Sequence, residues 1–148
     1  MDGCGFGGSD MKIIIDHTPE PTENAVLSDG VFAAYADLVG ERDRSFSVFL
    51  KNNSGKILGG LQAFFDTESI YIKSLWVDDA YRHQGHGKQL LRVAEQEGIQ
   101  QGCRLSTVDT WDFQAEGFYV KNGYVRMGEI KNYWKGYSMI FLRKVLKG

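Results

Sequence analysis

Arg82-His83-Gln84-Gly85-His86-Gly87-Lys88 marks the point where the chain changes its hydrophobic period. Upstream, Ser69 to Val77 reads as a strand, with Ile70, Ile72 and Trp76 on one face and Tyr71, Leu75 and Val77 on the other. Downstream, His86 to Gln101 reads as an amphipathic helix. Gly87, Leu90, Leu91, Ala94 and Gly98 line its inner face, while Arg92, Glu95 and Gln96 point away. Gly102 supplies the stop. A glycine-bearing loop between a strand and a helix is suited to anions. The first N–H groups of the helix have no intrahelical acceptor, and the macrodipole adds partial positive charge there. Gly85 and Gly87 leave room for close approach, and Arg82 and Lys88 can add charge-assisted bonds.

Spacing separates the kinds of phosphate loop. A P-loop requires G-x-x-x-x-G-K-[ST], but Arg82 stands at the first glycine and Gln89 follows Lys88, so that reading fails. A dinucleotide fingerprint requires a third glycine where Leu90 stands, within repeated βαβ units that this chain lacks. His83 and His86 lie three apart without neighbouring carboxylates or cysteines, an incomplete metal site. They are read as loop residues, and no metal is expected.

Working outward, Lys12 to Asp16 is a β-branched run expected to form a first strand. Thr18, Pro19 and Pro21 then open a helical segment carrying Leu27, Val31, Tyr35 and Leu38, which Ser28-Asp29-Gly30 is expected to divide into two short helices. Ser45 to Leu50 and Lys56 to Phe65 flank the turn-forming Asn52-Asn53-Ser54-Gly55 as a hairpin, and Asp66-Thr67-Glu68 leads into the strand already described. Beyond the long helix, Cys103 to Thr110 reads as a strand and Gln114 to Lys121 as a helix ending at Gly123. Tyr124 to Ile130 and Tyr137 to Leu146 close the sheet. The order β, α, α, β, β, β, α, β, α, β, β predicts an α+β, mixed α/β, single domain around one sheet of about seven strands.

Composition sets the outer limits. With 148 residues, 43% hydrophobic and 24% charged, the chain is of a size that buries on the order of 70% of its unfolded surface. Disulfides and metals are not needed to supplement the core. Leu58 to Phe65, interrupted by Gln62, falls far short of the ~20 apolar residues that span a bilayer. Residues 1–11, with Gly3, Gly5, Gly7 and Gly8, read as a mobile leader before a domain at 12–148, and not as a secretory signal. Cys4 and Cys103 write no disulfide framework, so a cytoplasmic location is expected. The net charge of −2 offers no basic field for nucleic acid or an anionic membrane, and neither is expected as a partner.

The loop also fits [RQ]-x-x-G-x-[GA] at every fixed position from Arg82 to Gly87. Here the chain resembles the GNAT superfamily of N-acetyltransferases. Leu75-Trp76-Val77-Asp78-Asp79 before the loop and Leu90-Leu91 and Ala94-Glu95 after it are similar to that family's segments. So is Gln114-Ala115-Glu116-Gly117-Phe118-Tyr119-Val120-Lys121-Asn122-Gly123-Tyr124, and Asp109 to Tyr119 is similar to a bacterial subgroup. Asp112 departs from the asparagine that many members carry seven residues before the motif tyrosine.

The resemblance implies a mostly antiparallel sheet, splayed between strands 4 and 5 and flanked by helices. It further implies acetyl-CoA as cosubstrate. Its pyrophosphate would lie on Arg82, His83, Gln84, Gly85, His86, Gly87 and Lys88, and its pantetheine arm on the main chain of Leu75, Trp76 and Val77. Tyr119 aligns with the proposed general acid, and a phenol near pKa 10 suits protonation of a departing thiolate. Ser69 to Val77 carries no carboxylate, so the base is left open among Asp109, Asp112 and Glu129 acting through water. Trp111, Tyr71 and Tyr35 are candidates to line the acceptor pocket, and Trp134 and Tyr137 stand near the last turn. Cys103 has no evident activating partner except Arg104, which favours direct attack by a small-molecule or peptide amine over a covalent intermediate. A CoA-binding sensor with little catalysis is the alternative. Dimers are common in the family, and Met139 to Leu142 is an apolar candidate edge for a homodimer.

Overall fold

The computed structural model describes residues 10–39 and 44–147, in two compact units that divide after Gly40. Most of the expected leader lies outside the described residues. In the first unit, residues 10–16 form no strand. A β-branched run has strand propensity, but propensity alone does not make a strand without a ladder. The sheet therefore has six strands, one fewer than expected. Helix α1 (Pro21–Ala33) begins with Pro at its first turn, and the Glu20 N–H donates to Glu23 Oε1 at 3.0 Å. It runs through Ser28-Asp29-Gly30 without the expected break, Ser28 Oγ donating back to the Ala25 carbonyl at 3.1 Å. The interruption falls instead at Ala34 and Tyr35, before α2 (Ala36–Val39).

The second unit contains β1 (Ser45–Lys51), β2 (Ile57–Asp66), β3 (Ser69–Val77), α3 (His86–Gln100), β4 (Leu105–Trp111), α4 (Glu116–Lys121), β5 (Val125–Trp134) and β6 (Tyr137–Val145). The strand order is β1-β2-β3-β4-β6-β5, and only β3 and β4 run parallel, joined by the α3 crossover. Strand β6 lies between β4 and β5. Met139 to Leu142 therefore has no free edge, contrary to expectation: the outer strands are β1 and β5.

Helix α3 buries Leu90, Leu91 and Ala94 against Leu61, Ala63, Ile70, Ile72, Val108, Ile140 and Leu142. Gly98 lets the helix lie close, since a Cβ there would stand 3.3 Å from Ile70 and 3.5 Å from Leu146. Glu95 does not point away as expected. It is 7% exposed, accepting from the Tyr124 hydroxyl at 2.9 Å and from Lys144 Nζ at 2.9 Å, and the Tyr124 hydroxyl also bonds Ser106 Oγ at 2.7 Å. Its partners arrive from β6 and from the residue before β5, so no pattern local to α3 announces them. Burial, with the Glu95 charge beside it, pushes the Tyr124 phenol upward although the Ser106 hydroxyl pulls the other way.

One irregularity decides what happens beside the glycine loop. Gln62 pairs with Ser74 and Ala63 with Ile72, leaving Lys73 as an extra residue in β3. This bulge resets the alternation. Leu75 and Val77, opposite Leu61 and Gly59, rejoin Ile70 and Ile72 on the α3 face, whereas Trp76, 48% exposed, falls with Tyr71 on the other. The faces expected for Leu75, Trp76 and Val77 are thus exchanged. Gly59 permits the close approach of β2 and β3 here, because a Cβ would lie 2.8 Å from the Trp76 carbonyl and 3.2 Å from Val77 Cα. Gly59→Ala is expected to lower the unfolding free energy by about 1–3 kcal/mol, the usual range for overpacking, as measured by denaturant melts.

Candidate active site

Strands β3 and β4 pair only from Ser69–Ile72 against Leu105–Val108. Beyond the bulge, β3 continues to Val77 alongside β2, and β4 continues to Trp111 alongside β6. The sheet consequently opens into a wedge, the splay expected from the resemblance. Along it, Leu75, Trp76 and Val77 retain a ladder with β2 but not with β4, so alternate main-chain groups face the gap.

At the loop end, the Asp78 N–H donates to the Leu58 carbonyl at 2.8 Å and Asp78 Oδ1 accepts from the Ala80 N–H at 3.0 Å. Arg82 anchors the loop to the strand. Its Nε donates to the Val77 carbonyl at 2.8 Å and its Nη1 pairs with Asp79 Oδ1 at 2.6 Å. Much of the guanidinium that the sequence reading gave to an anion is therefore engaged within the loop. His83 has φ +62° and Gly85 φ +83°, and Gly85 is the residue that caps α3. The first main-chain bond of the helix is Gln89 N–H to the Gly85 carbonyl, at 3.1 Å. The N–H groups of Gly85, His86, Gly87 and Lys88 find no acceptor among the described residues. A left-handed residue followed by a helical one turns successive N–H groups into one concavity. A Cβ on Gly85 would meet nothing within 4 Å, so the space above it is open. A Cβ on Gly87 would stand 3.6 Å from the Phe118 ring, which places the start of α3 beside α4.

Tyr119 is the buried residue of α4, 4% exposed, with its ring against those of Phe118 and Tyr124 at centroid distances of 5.2 and 5.4 Å. Its hydroxyl has no hydrogen-bond partner among the described residues, yet it is not among the fully enclosed side-chain atoms. Burial, reinforced by Asp109 and Tyr71, pushes this phenol up to about 12. Tyr71 and Asp109 lie on the face of the sheet opposite α3, joined by a 2.9 Å bond from the Tyr71 hydroxyl to Asp109 Oδ2. Burial and that bond raise Tyr71 to about 12 as well. Tyr119 thus stands in the core on the α3 side, and the Asp109 charge is the second influence on its phenol after burial.

The remaining candidates differ in their freedom. Asp112 closes the β4–β6 ladder, its N–H donating to the Ser138 carbonyl at 3.0 Å and its Oδ2 accepting from the Ser138 N–H at 3.1 Å. Glu129 pairs with Arg126 at 2.6 Å, and Arg126 also forks onto Glu116. Asp109 differs from both in being held by Tyr71, across the β3–β4 pair whose ladder ends at Val108. Cys103 is buried and desolvation raises its thiol, a poor setting for a nucleophile. Among the described residues no group of three metal-ligating side chains occurs, and no helix is long and apolar enough to cross a membrane.

Comparison with known proteins agrees with this geometry. Residues 12–124 match the acetyltransferase (GNAT) family. Over 102 residues the chain is 34% identical to blasticidin-S acetyltransferase of Streptomyces morookaense, covering 68% of this chain and 75% of the relative. An acetyltransferase structure from Bacillus cereus superposes with a TM-score of 0.76 at 32% identity, covering 90% of this chain and 98% of that one. An acetyltransferase structure from Agrobacterium tumefaciens gives 0.81 at 26% identity, covering 91% and 99%. The match takes in the glycine loop, the crossover helix and the Tyr119 segment together, and the chain belongs to the GNAT family of acetyltransferases.

Proposed function

We propose that the protein moves an acetyl group from acetyl-CoA to a primary amine by direct attack in a ternary complex. The observation that carries this reading is the wedge itself, together with main-chain N–H groups at the start of α3 and a Tyr119 hydroxyl that have no partner among the described residues. The residues suit a diphosphate with a long amide-bearing arm: Gly85, His86, Gly87 and Lys88 supply N–H donors, with His83, Gln84 and the Arg82 anchor shaping the loop. Leu75, Trp76 and Val77 supply main-chain groups along the gap. Acetyl-CoA, when bound, supplies a thioester carbonyl as the electrophile.

The chain's part is to place the amine, hold a proton for sulfur and accept one from nitrogen. The amine lone pair forms the new C–N bond as the C–S bond breaks and its electron pair passes to sulfur. Tyr119 holds the proton that sulfur takes up, and its raised pKa keeps the phenol protonated throughout the neutral range. Asp109 accepts, through water, the proton that nitrogen loses, so the net movement is one proton from amine to thiol. The Tyr71 hydroxyl fixes the Asp109 carboxylate. Asp109 thereby serves where β3 itself carries no carboxylate.

The reading is tested by following thioester consumption over a panel of primary amines. Turnover that saturates with acetyl-CoA is expected. Asp109→Asn is expected to lower it by about tenfold or more, while Asp112→Asn and Glu129→Gln stay within about threefold. CoA binding with no acceleration by any amine would establish the sensor instead.

A further inference from the structure

Consecutive residues of a regular strand point to opposite faces, yet Tyr133 and Trp134 both turn toward the Trp111 indole, at centroid distances of 5.5 and 5.8 Å. The cause lies in the backbone. Ile130 pairs with Met139 and Trp134 with Tyr137, so residues 131–133 stand opposite Ser138 alone. Asn132 takes φ +51°, and its Oδ1 accepts from the Gly136 N–H at 2.9 Å, bracing the hairpin end. Phe113 stacks on Trp111 at 6.0 Å and 8°, and Tyr137 meets Phe113 edge-on at 4.6 Å. A distorted hairpin that served only packing would hide these rings. Instead Phe113, Tyr133, Trp134 and Tyr137 remain 43–54% exposed, a contiguous aromatic surface.

Its place in the fold gives it a use. Trp111 follows Asp109 on the same face of β4, about 7 Å further along, beyond the point where β3 has left the ladder. The surface already takes a cation, since Lys135 Nζ lies 4.9 Å from the Trp134 ring centroid. Two carboxylates, Asp109 and Asp112, flank Trp111 on its own chain segment.

We propose that the rings of Trp111, Phe113, Tyr133, Trp134 and Tyr137 select the acceptor: a primary amine borne on a flat aromatic or heteroaromatic body. The body stacks on the rings and the ammonium end reaches along β4 toward Asp109. This rests on the acetyl-transfer reading and names the substrate class of the same site.

The test compares tryptamine with cyclohexylmethylamine, which offers an apolar but non-planar body, using the full chain and acetyl-CoA. The expected kcat/KM favours tryptamine by about tenfold or more. Trp134→Ala is expected to raise the tryptamine KM about tenfold and to bring the kcat/KM values of the two amines to within about threefold of one another, leaving the KM for acetyl-CoA within about twofold. Trp134→Phe, which keeps a ring, is expected to restore most of the preference, and that rescue separates recognition from misfolding. Equal kcat/KM for the two amines, or a preference unchanged in Trp134→Ala, overturns the proposal while acetyl transfer stands. Absence of thioester consumption with every amine overturns the transfer reading and the proposal with it.

Discussion

Tyr119→Phe is expected to reduce turnover by about 100-fold or more while leaving the affinity for CoA and the thermal midpoint nearly unchanged. The size of the loss follows from the role: only the hydroxyl is removed, and it holds the proton that the departing sulfur requires. The selectivity of the loss follows from the geometry. The ring stays packed between Phe118 and Tyr124, and no protein hydrogen bond disappears, because the hydroxyl has no partner among the described residues. The pH profile adds a second constraint. Desolvation and the nearby Asp109 charge both favour the neutral phenol and lift its pKa to about 12, so ionisation of Tyr119 cannot turn activity off between neutrality and pH 10. A variant that lost CoA affinity in step with turnover would show that the residue only shapes the site.

Gly85→Val is expected to weaken CoA binding by about tenfold or more, with a further loss of about 1–3 kcal/mol in stability. The cost is conformational, since a Cβ at Gly85 would touch nothing, but φ +83° is an outlier for a β-branched residue. To relieve it, the loop must re-aim the N–H groups that open α3 or start the helix later. Gly102→Val provides the control. Gly102 has φ +88°, equally open space around it, and sits just past the other end of the same helix. Comparable strain there should lower stability to a similar extent and leave CoA affinity within about twofold, as titration of both variants would show. Equal effects on affinity would mean that the loop's conformation has no special relation to the ligand.

The glycine loop and crossover helix were legible in the sequence because their determinants are local. Gly85 and Gly87 lie in the sequence beside the helix they open, and Leu90, Leu91 and Ala94 repeat with the helical period along it. The resemblance of the Tyr119 segment extended that reading to the second wall of the site. What failed to show depends on partners distant in the chain. A strand at Lys12 to Asp16 requires a ladder that no β-branched run can announce by itself. The bulge at Lys73 is a property of the β2–β3 pair, so simple alternation put Trp76 on the wrong face. Glu95 counted as an outward residue until Tyr124 and Lys144 met it. The bond from Tyr71 to Asp109 spans 38 residues, which is why nothing in the sequence set Asp109 apart from Asp112 and Glu129.

The claim beneath the whole account is that the open wedge and the bare helix start together hold coenzyme A. Calorimetric titration of the purified 148-residue chain with CoA tests it most directly. The account predicts saturable 1:1 binding in the micromolar range, weakened by Gly85→Val and preserved in Tyr119→Phe. No heat of binding up to about millimolar CoA, from protein shown to be folded, would contradict it.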